Sequence, residues 1–331
     1  MTAERDTEGA QLPEDLPPVQ PPSAGFIIQL FVVPGLIVLA IVGVWLLFGK
    51  LATGEQDWKG LLVELQHPNL HRRWRAASGL AQMVKADREM PGGGQHLSRN
   101  REIAQALGDV LSTEVKRGAH SDDDVKYETF LAATLGWFDL PEIVVPPLEQ
   151  AMQPGVDREV RKNAIWAIAV MAERAGKDGA PLAYAGLIDE LTKISSDDDP
   201  LIRQTSAFAL GLFSDEEARS RLQVMIADSD PDTRINAAIA LTRHGDVHGT
   251  AVFQEVLKRA GENLQPGSDG EFEQFLALKN CIAAIERVSG AFNAIERQEL
   301  ATLLEPIASG FREPAIRIAA KNALSTLRAE R

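Results

Sequence analysis

A short pattern built around one basic residue recurs along most of this 331-residue chain. It consists of an often aliphatic residue, an arginine, several small residues, and a leucine or isoleucine seven positions after the arginine. The sequence reads VRKNAIWAI at 160–168, IRQTSAFALG at 202–211, TRINAAIAL at 233–241 and IRIAAKNAL at 316–324. Small residues let neighbouring helices approach closely, and aliphatic residues fill the layer between them. The pattern therefore predicts pairs of helices stacked in a row.

Weaker copies extend the array. RRWRAASGL stands at 72–80, VKYETFLAATLG at 125–136 in a shifted register, and ALKNCIAAI at 277–285 with leucine in place of the basic residue. An interval of about 41 residues between copies is the length of a two-helix repeat unit. The basic or equivalent positions are 73, 126, 161, 203, 234, 278 and 317.

The recurring pattern falls on the second helix of each pair. Acidic turns such as SDDDP at 196–200 and DSDPD at 228–232 precede several of these helices. Aspartate there caps a helix N-terminus, and proline suits the first turn. Each arginine would then reach a capping aspartate of the next unit, which predicts a ladder of Arg–Asp contacts. The first helices are predicted at 55–66, 101–115, 141–152, 182–194, 215–227, 249–260 and 293–309.

These copies resemble the HEAT and HEAT-like (PBS lyase-type) repeat family, in a bacterial form anchored to the membrane. The resemblance implies an all-α fold, a right-handed α-solenoid of about seven helix pairs preceded by one transmembrane helix. Each unit buries its core only against its neighbours, so we expect one continuous domain at 55–331. Two insertions, at 86–100 and 261–270, are rich in glycine and polar residues. We expect both to be exposed, mobile loops.

The run FIIQLFVVPGLIVLAIVGVWLLF at 26–48 contains no charged residue. As a helix it would span about 34 Å, enough to cross a hydrocarbon core of about 30 Å. The flank before it is acidic, whereas a secretory signal begins with a basic region. LATG at 51–54 gives only a weak cleavage-like pattern, and a cleaved signal remains the alternative. We expect a single-pass transmembrane helix.

Basic residues are unevenly placed around this segment, because Arg5 stands alone before it. The positive-inside rule therefore predicts a cytoplasmic C-terminal domain and an N-terminal tail outside. The tail, 1–25, is acidic and proline-rich and is expected to be a disordered spacer, and 49–54 is a short linker. With the opposite orientation, the partners would be envelope or extracytoplasmic proteins. The basic residues that follow the segment are Lys50, Lys59, Arg72, Arg73 and Arg75.

Charge and composition exclude several functions. The chain has 34 Lys and Arg against 47 Asp and Glu, a net charge of −13, which argues against a nucleic-acid partner. The single cysteine, Cys281, excludes intrachain disulfides and most zinc sites, and we expect it to be a buried apolar residue.

Catalytic and metal-binding motifs are not evident. HPNLH at 67–71 and HGDVH at 244–248 each place two histidines four apart, but in turns that contain proline or glycine. No histidine precedes a glutamate, unlike in the HEAT-repeat di-iron hydroxylases. PGGGQH at 91–96 lacks the end of a phosphate-binding loop. The carboxylates at 121–124 and 195–199 suit helix caps. We expect no enzyme activity, no cofactor or metal, and no small-molecule substrate.

The second helices usually line the concave face of such a solenoid. Three tryptophans, Trp74, Trp137 and Trp166, are assigned to second helices, and core packing is favoured over partner contact for them. The predicted function is a membrane-tethered scaffold or adaptor that binds a protein partner and is held at the bilayer by 26–48. The alternatives are a self-assembling structural protein and a subunit that cradles a substrate for a separate enzyme. The candidate partner-binding residues are Arg161, Trp166, Arg203, Phe208, Arg234 and Arg317.

Overall fold

The structure of the protein is a computed structural model, and it describes residues 23–52, 58–90, 94–262 and 271–329. These ranges contain fifteen α-helices, two short 3₁₀-helices and no strand. The predicted all-α class is therefore confirmed. Contacts divide the chain into two units, Met1–Gln56 and Asp57–Arg331.

The first unit contributes one helix, α1 (Ala24–Ala52). Its segment Ile28–Trp45 has a mean hydropathy of 2.4, and none of it is buried. The helix is long and apolar enough to cross a membrane, and a signal sequence near an N-terminus meets the same criteria. The predicted span 26–48 lies within α1, whereas the tail up to residue 22 and residues 53–57 lie outside the described ranges.

The second unit consists of seven consecutive helix pairs. All seven predicted first helices are present, and the largest difference is at α8, which begins at Leu187 instead of 182. Gly186 precedes α8 at φ +80°, a left-handed conformation through which no helix continues. The pairs are α2 (Trp58–Leu65) and α3 (Leu70–Glu89), α4 (Arg101–Arg117) and α5 (Asp122–Leu135), α6 (Pro141–Ala151) and α7 (Arg158–Lys177), α8 (Leu187–Ile194) and α9 (Pro200–Leu210), α10 (Glu216–Met225) and α11 (Pro231–Thr242), α12 (Thr250–Glu262) and α13 (Glu271–Arg287), and α14 (Ala294–Gly310) and α15 (Pro314–Ala329).

Polar caps fix where the second helices begin. Asp157, Asp199 and Asp230 each accept a backbone N–H bond from the first turn of α7, α9 and α11. Proline occupies the first position of α9 and α11, where a missing N–H costs nothing. The acidic turns therefore act as the caps that the sequence predicted.

Close approach of successive second helices explains the small residues in the pattern. A Cβ at Gly136, just after α5, would lie 3.0 Å from the Cα of Ala167 on α7. A Cβ at Gly211, just after α9, would overlap Ala240 on α11. The aliphatic residue seven positions after each arginine is buried in the layers between helices: Leu80, Ile168, Leu210, Leu241 and Leu324.

The first insertion differs from the expected exposed loop, whereas most of the second lies outside the described ranges. Helix α3 continues to Glu89, and Asp87 on it accepts N–H bonds from Gln95 and, at 2.7 Å, from Leu97. Leu97 and Ser98 are buried, so the second half of the 86–100 insertion packs onto the array. Helix α12 includes residues 261 and 262, and 263–270 lie outside the described ranges.

Replacing Gly211 by alanine should destabilise the array by about 1–3 kcal/mol, because the added methyl overlaps Ala240. The backbone at Gly211, φ −65°, is one that alanine adopts freely, so the effect is purely steric. Unfolding of the full-length protein in detergent, followed by circular dichroism, measures the change.

The matched control is Gly176→Ala on α7, where an added Cβ meets nothing within 4 Å. Alanine is the better helix former there, so this variant should be as stable as the wild type or slightly more stable. Equal losses in both variants would contradict the close packing at Gly211.

Candidate functional site

The repeated arginine joins one unit to the next. Arg161 on α7 lies 3.3 Å from Asp197 through Nη1, pairs with it again through Nη2, and donates Nε to the carbonyl of Met152 at 3.0 Å. Arg203 on α9 binds Asp228 with Nε at 2.9 Å and Nη2 at 2.8 Å. These are two-point contacts, which fix direction as well as distance.

The ladder is present, but its carboxylates are not the helix caps. Asp197 and Asp228 stand two residues before the caps Asp199 and Asp230 and accept their N–H groups, at 3.0 and 2.8 Å. The cap carboxylates are already bonded to the first helical turn. The bond from Arg161 holds the pKa of Asp197 below its ordinary value. Burial alone would raise the pKa of Asp228, but its hydrogen-bond donors, Arg203 first, lower it below the ordinary value.

The remaining arginines vary this contact. Arg73 reaches Glu114 at 3.1 Å, and Arg234 reaches Glu255 at 3.0 Å, both on the first helix of the next unit. Arg317 lies in the last unit and donates to two carbonyls of the turn before its own helix, at 2.6 and 2.9 Å.

The second unit has no arginine in the ladder position. On α3, α7, α9 and α11 the arginine stands four residues after the cap residue. The cap of α5 is Ser121, so the equivalent residue is Val125 and not Lys126, which the sequence pattern had aligned. Lys126 is exposed and pairs with Asp123 at 3.0 Å. The ladder is therefore interrupted between the second and third units.

A buried carboxylate lies beside this interruption. Glu128 on α5 is 1% exposed, and its Oε1 has no hydrogen-bond partner among the described residues. Burial, together with the negative charges of Glu114 and Asp124, raises the pKa of Glu128 to about 7. Arg117 is the opposing positive charge, and it pairs with Glu114 and Asp124.

A second contact spans the interruption at the opposite ends of the helices. Asp139, in the turn after α5, accepts bonds at 3.0 Å from Arg88 of α3, Arg174 of α7 and Ser98. Burial would raise the pKa of Asp139, yet the two arginines hold it below its ordinary value. One carboxylate thus connects three successive units.

The ladder lies at the N-terminal ends of the second helices. Along these helices, residues of α7, α9 and α11 form a groove. Trp166 on α7 is 47% exposed, and its ring stacks on Phe208 of α9 with centroids 4.9 Å apart and planes 16° apart. The guanidinium of Arg243 lies 4.7 Å from the centroid of the same Phe208 ring. A cavity of about 440 Å³ opens beside this stack. It is lined by Lys162, Asn163, Trp166, Gln204, Thr205, Phe208 and Asn236.

The structure separates the predicted site residues into two groups. Trp166 and Phe208, each five residues after its unit's arginine, meet in the groove. The other four hold units or turns together: Arg161, Arg203, Arg234 and Arg317. A partner role for all six stays a prediction.

The assignment of the tryptophans to second-helix core positions is wrong in two of three cases. Trp74 packs against Tyr127 and Phe130, with centroids 5.4 and 5.2 Å apart. Trp166 is half exposed, and Trp137 lies in the turn after α5 instead of on a helix.

Sequence reasoning missed the amide side chains of the groove. Asn163 and Asn236 stand two residues after an arginine of the pattern, and Gln204 stands one residue after another. It also missed Arg243. The available signal was a basic residue at the C-terminal end of a second helix, where it can bond the last carbonyls.

The histidines and the cysteine do not come together as a set of metal ligands within the described ranges. Within the described ranges no group of three potential ligands is found. His67 accepts the N–H of Asn69 at 3.0 Å, and His248 lies 2.6 Å from Asp246. Cys281 is fully buried, which raises its thiol pKa to about 12. Its environment is that of a packed apolar residue.

Glu128→Gln should stabilise the protein at pH 8 by about 1–3 kcal/mol. The pKa of Glu128 is about 7 in the folded chain and 4.5 as its ordinary value, so the folded state binds this proton more tightly. The free energy of unfolding therefore falls as pH rises from 4.5 to 7, and the loss is complete above that. Glutamine never ionises and avoids it.

Chemical unfolding at pH 5 and pH 8 measures this difference. The gain should be small at pH 5 and absent at both values in the exposed control Glu142→Gln. A Glu128→Gln variant that is equally destabilised at both pH values would show that the carboxylate is ionised and bonded.

Two family models match the chain. One, for HEAT repeats, matches residues 188–263, and one, for a HEAT-like repeat, matches residues 158–213. The matched residues include α7 to α11, which carry the groove and two rungs of the ladder. The sequence matches no curated protein significantly.

Several solved structures are similar in outline. The Escherichia coli protein YibA is 16% identical over 85% of this chain and 96% of its own, with a TM-score of 0.41. The archaeal HEAT-like repeats protein of Thermococcus onnurineus NA1 is 12% identical over 77% and 97%, with a TM-score of 0.45. Human deoxyhypusine hydroxylase, in complex with glycerol, is 17% identical over 85% and 99%, with a TM-score of 0.31.

The helix pairs and the two family models lead to the same assignment. The chain contains HEAT repeats, matched at residues 158–263, within an array of seven helix pairs.

Proposed function

We propose that this protein is a non-enzymatic, membrane-tethered adaptor whose HEAT-repeat array binds a protein partner in the groove beside Trp166 and Phe208. The observation that carries the proposal is the half-exposed, stacked aromatic pair beside a cavity of about 440 Å³. Exposed aromatic rings next to a pocket are the usual centres of protein–protein binding energy.

The groove is held in shape before any partner arrives. Phe208 is fixed by the Trp166 ring and by the Arg243 guanidinium. Asn163 donates its side-chain amide to the carbonyl of Glu159 at 2.8 Å, and Gln204 donates its amide to Asp230 at 3.0 Å. A preorganised site loses little conformational entropy on binding.

The charged side chains around the groove support a binding role over a catalytic one. Arg161, Arg203 and Arg234 are engaged in contacts between units, and their carboxylate partners are engaged with them. The net charge of −13 favours protein partners over nucleic acid.

The membrane part of the proposal rests on α1. We infer that 26–48 crosses the bilayer, that 49–54 links it to the array, and that the array at 55–331 is cytoplasmic with the 1–25 tail outside. The length and hydropathy of α1 support the span, and the excess of Lys and Arg after it supports the orientation.

Trp166→Ala should weaken partner binding by about tenfold or more, because it removes the exposed half of the aromatic pair. The test is a pull-down of the tagged full-length protein from detergent-solubilised membranes, with partners identified by mass spectrometry. A stoichiometric cytoplasmic partner should be recovered with the wild type and lost with the variant.

Val224→Ala is the control, because Val224 is an exposed apolar residue on α10, a first helix outside the groove. Circular dichroism must show both variants folded. A partner that both variants retain would move the binding site elsewhere. Recovery of only the protein itself would support self-assembly, and recovery of envelope proteins would reverse the orientation.

A further inference from the structure

Two arginines meet at one end of the groove, where α11 and α13 finish. The guanidinium of Arg243 lies on the Phe208 ring, and its Nη1 is 3.3 Å from the carbonyl oxygen of Phe208. Arg287 donates its Nη1 to the hydroxyl of Thr242 at 3.2 Å, and Thr242 is the residue next to Arg243. Arg243 therefore lies against the aromatic stack, and the positive charge of Arg287 is close enough to act on it.

Neither arginine has a carboxylate at ion-pair distance within the part of the chain that the structure describes. This sets them apart from the inter-unit arginines Arg161, Arg174 and Arg203, each of which binds an aspartate. Glu173 is near enough to favour the charged form of Arg243, but its carboxylate lies 2.8 Å from Lys177. Burial, followed by the positive charge of Arg287, lowers the pKa of Arg243.

The carbonyls at the C-terminal end of α9 are electronegative, and Arg243 donates to that of Phe208. The Phe208 carbonyl and the Thr242 hydroxyl each accept from one N–H group, whereas each guanidinium carries five. A carboxylate is the group whose two oxygens match these donors. It would also offset the repulsion between Arg287 and Arg243, of which Arg243 is partly withdrawn from water.

We propose that Arg243 and Arg287 bind a carboxylate of the partner while an aromatic or apolar partner residue lies on Trp166. The partner segment is therefore acidic, with aspartate or glutamate beside a large apolar residue. This inference rests on the proposed function, since it assigns the chemistry of the partner in the same groove. The opposite edge of the groove does not compete for a basic segment, because Asp197 and Asp228 are already bound by arginines.

Two fluorescein-labelled peptides, EELFEE and KKLFKK, test the sign of the charge. Fluorescence anisotropy is measured with the full-length protein in detergent. The acidic peptide should bind at least about tenfold more tightly than the basic one, and its affinity should fall steeply with added salt. Tighter binding of the basic peptide, or no binding of the acidic peptide, overturns the inference.

Arg287→Glu then locates the carboxylate, because Arg287 is exposed and its reversal leaves the core intact. Binding of EELFEE should weaken about tenfold or more, and Arg243→Gln should act in the same direction. The matched control is Arg101→Glu on α4, an exposed arginine remote in sequence whose partner is Glu142. It makes the same charge change and should leave the affinity unaltered.

The two proposals fail in different ways. If Trp166→Ala weakens EELFEE but Arg287→Glu and Arg243→Gln do not, the groove binds its partner and the carboxylate site is wrong. If Arg287→Glu weakens the peptide and Trp166→Ala does not, an acidic segment binds outside the groove. That result overturns both the proposed function and the shared position of the two sites.

Discussion

The two-point contact between an arginine of one unit and an aspartate of the next is the interaction on which the array depends. Apolar layers supply most of the stabilisation, but that force has no direction. The Arg161–Asp197 and Arg203–Asp228 contacts do have direction, and both lie largely out of solvent. Each aspartate also binds the N–H of the following cap residue, so one carboxylate orders the turn, the helix start and the spacing between units. The spacing between units also sets the distances between α7, α9 and α11, which line the groove.

The second unit shows what happens where the contact is missing. Val125 replaces the arginine, and Glu128 is left buried with a raised pKa. The structure compensates at the other ends of the helices, where Asp139 binds arginines from the units on both sides. Arg243 also donates to a carbonyl at the end of the preceding second helix. Unlike Arg174, it has no carboxylate at ion-pair distance among the described residues. An arginine that bonds the end of a neighbouring helix thus also brings a positive charge to the groove.

Much of this architecture follows from the sequence. The interval of about 41 residues predicted seven helix pairs. The acidic turns predicted the caps, which the structure has at Asp157, Asp199 and Asp230. The ladder aspartates were misplaced by two residues. Arg161 and Arg203 bind Asp197 and Asp228, which stand two residues before the caps. The cap Asp199 pairs with Arg158 instead. The shift from Lys126 to Val125 depends on where α5 begins, which the pattern alone did not fix. The exposure of Trp166 depends on contacts between units, and a tryptophan among small residues suits a core and a groove equally well.

Amide hydrogen exchange of the full-length protein, wild type against Arg203→Ala, measures whether the arginine contact couples neighbouring units. If the arginine contact couples units, its loss should lower the protection of α9 and α11 together. The expected decrease is about a hundredfold, equivalent to about 3 kcal/mol for an unpaired, largely buried Asp228. Arg101→Ala, which removes an exposed ion pair, should change protection little. A loss of protection confined to α9, or equal effects of the two variants, would show that the arginine contact does not couple the units.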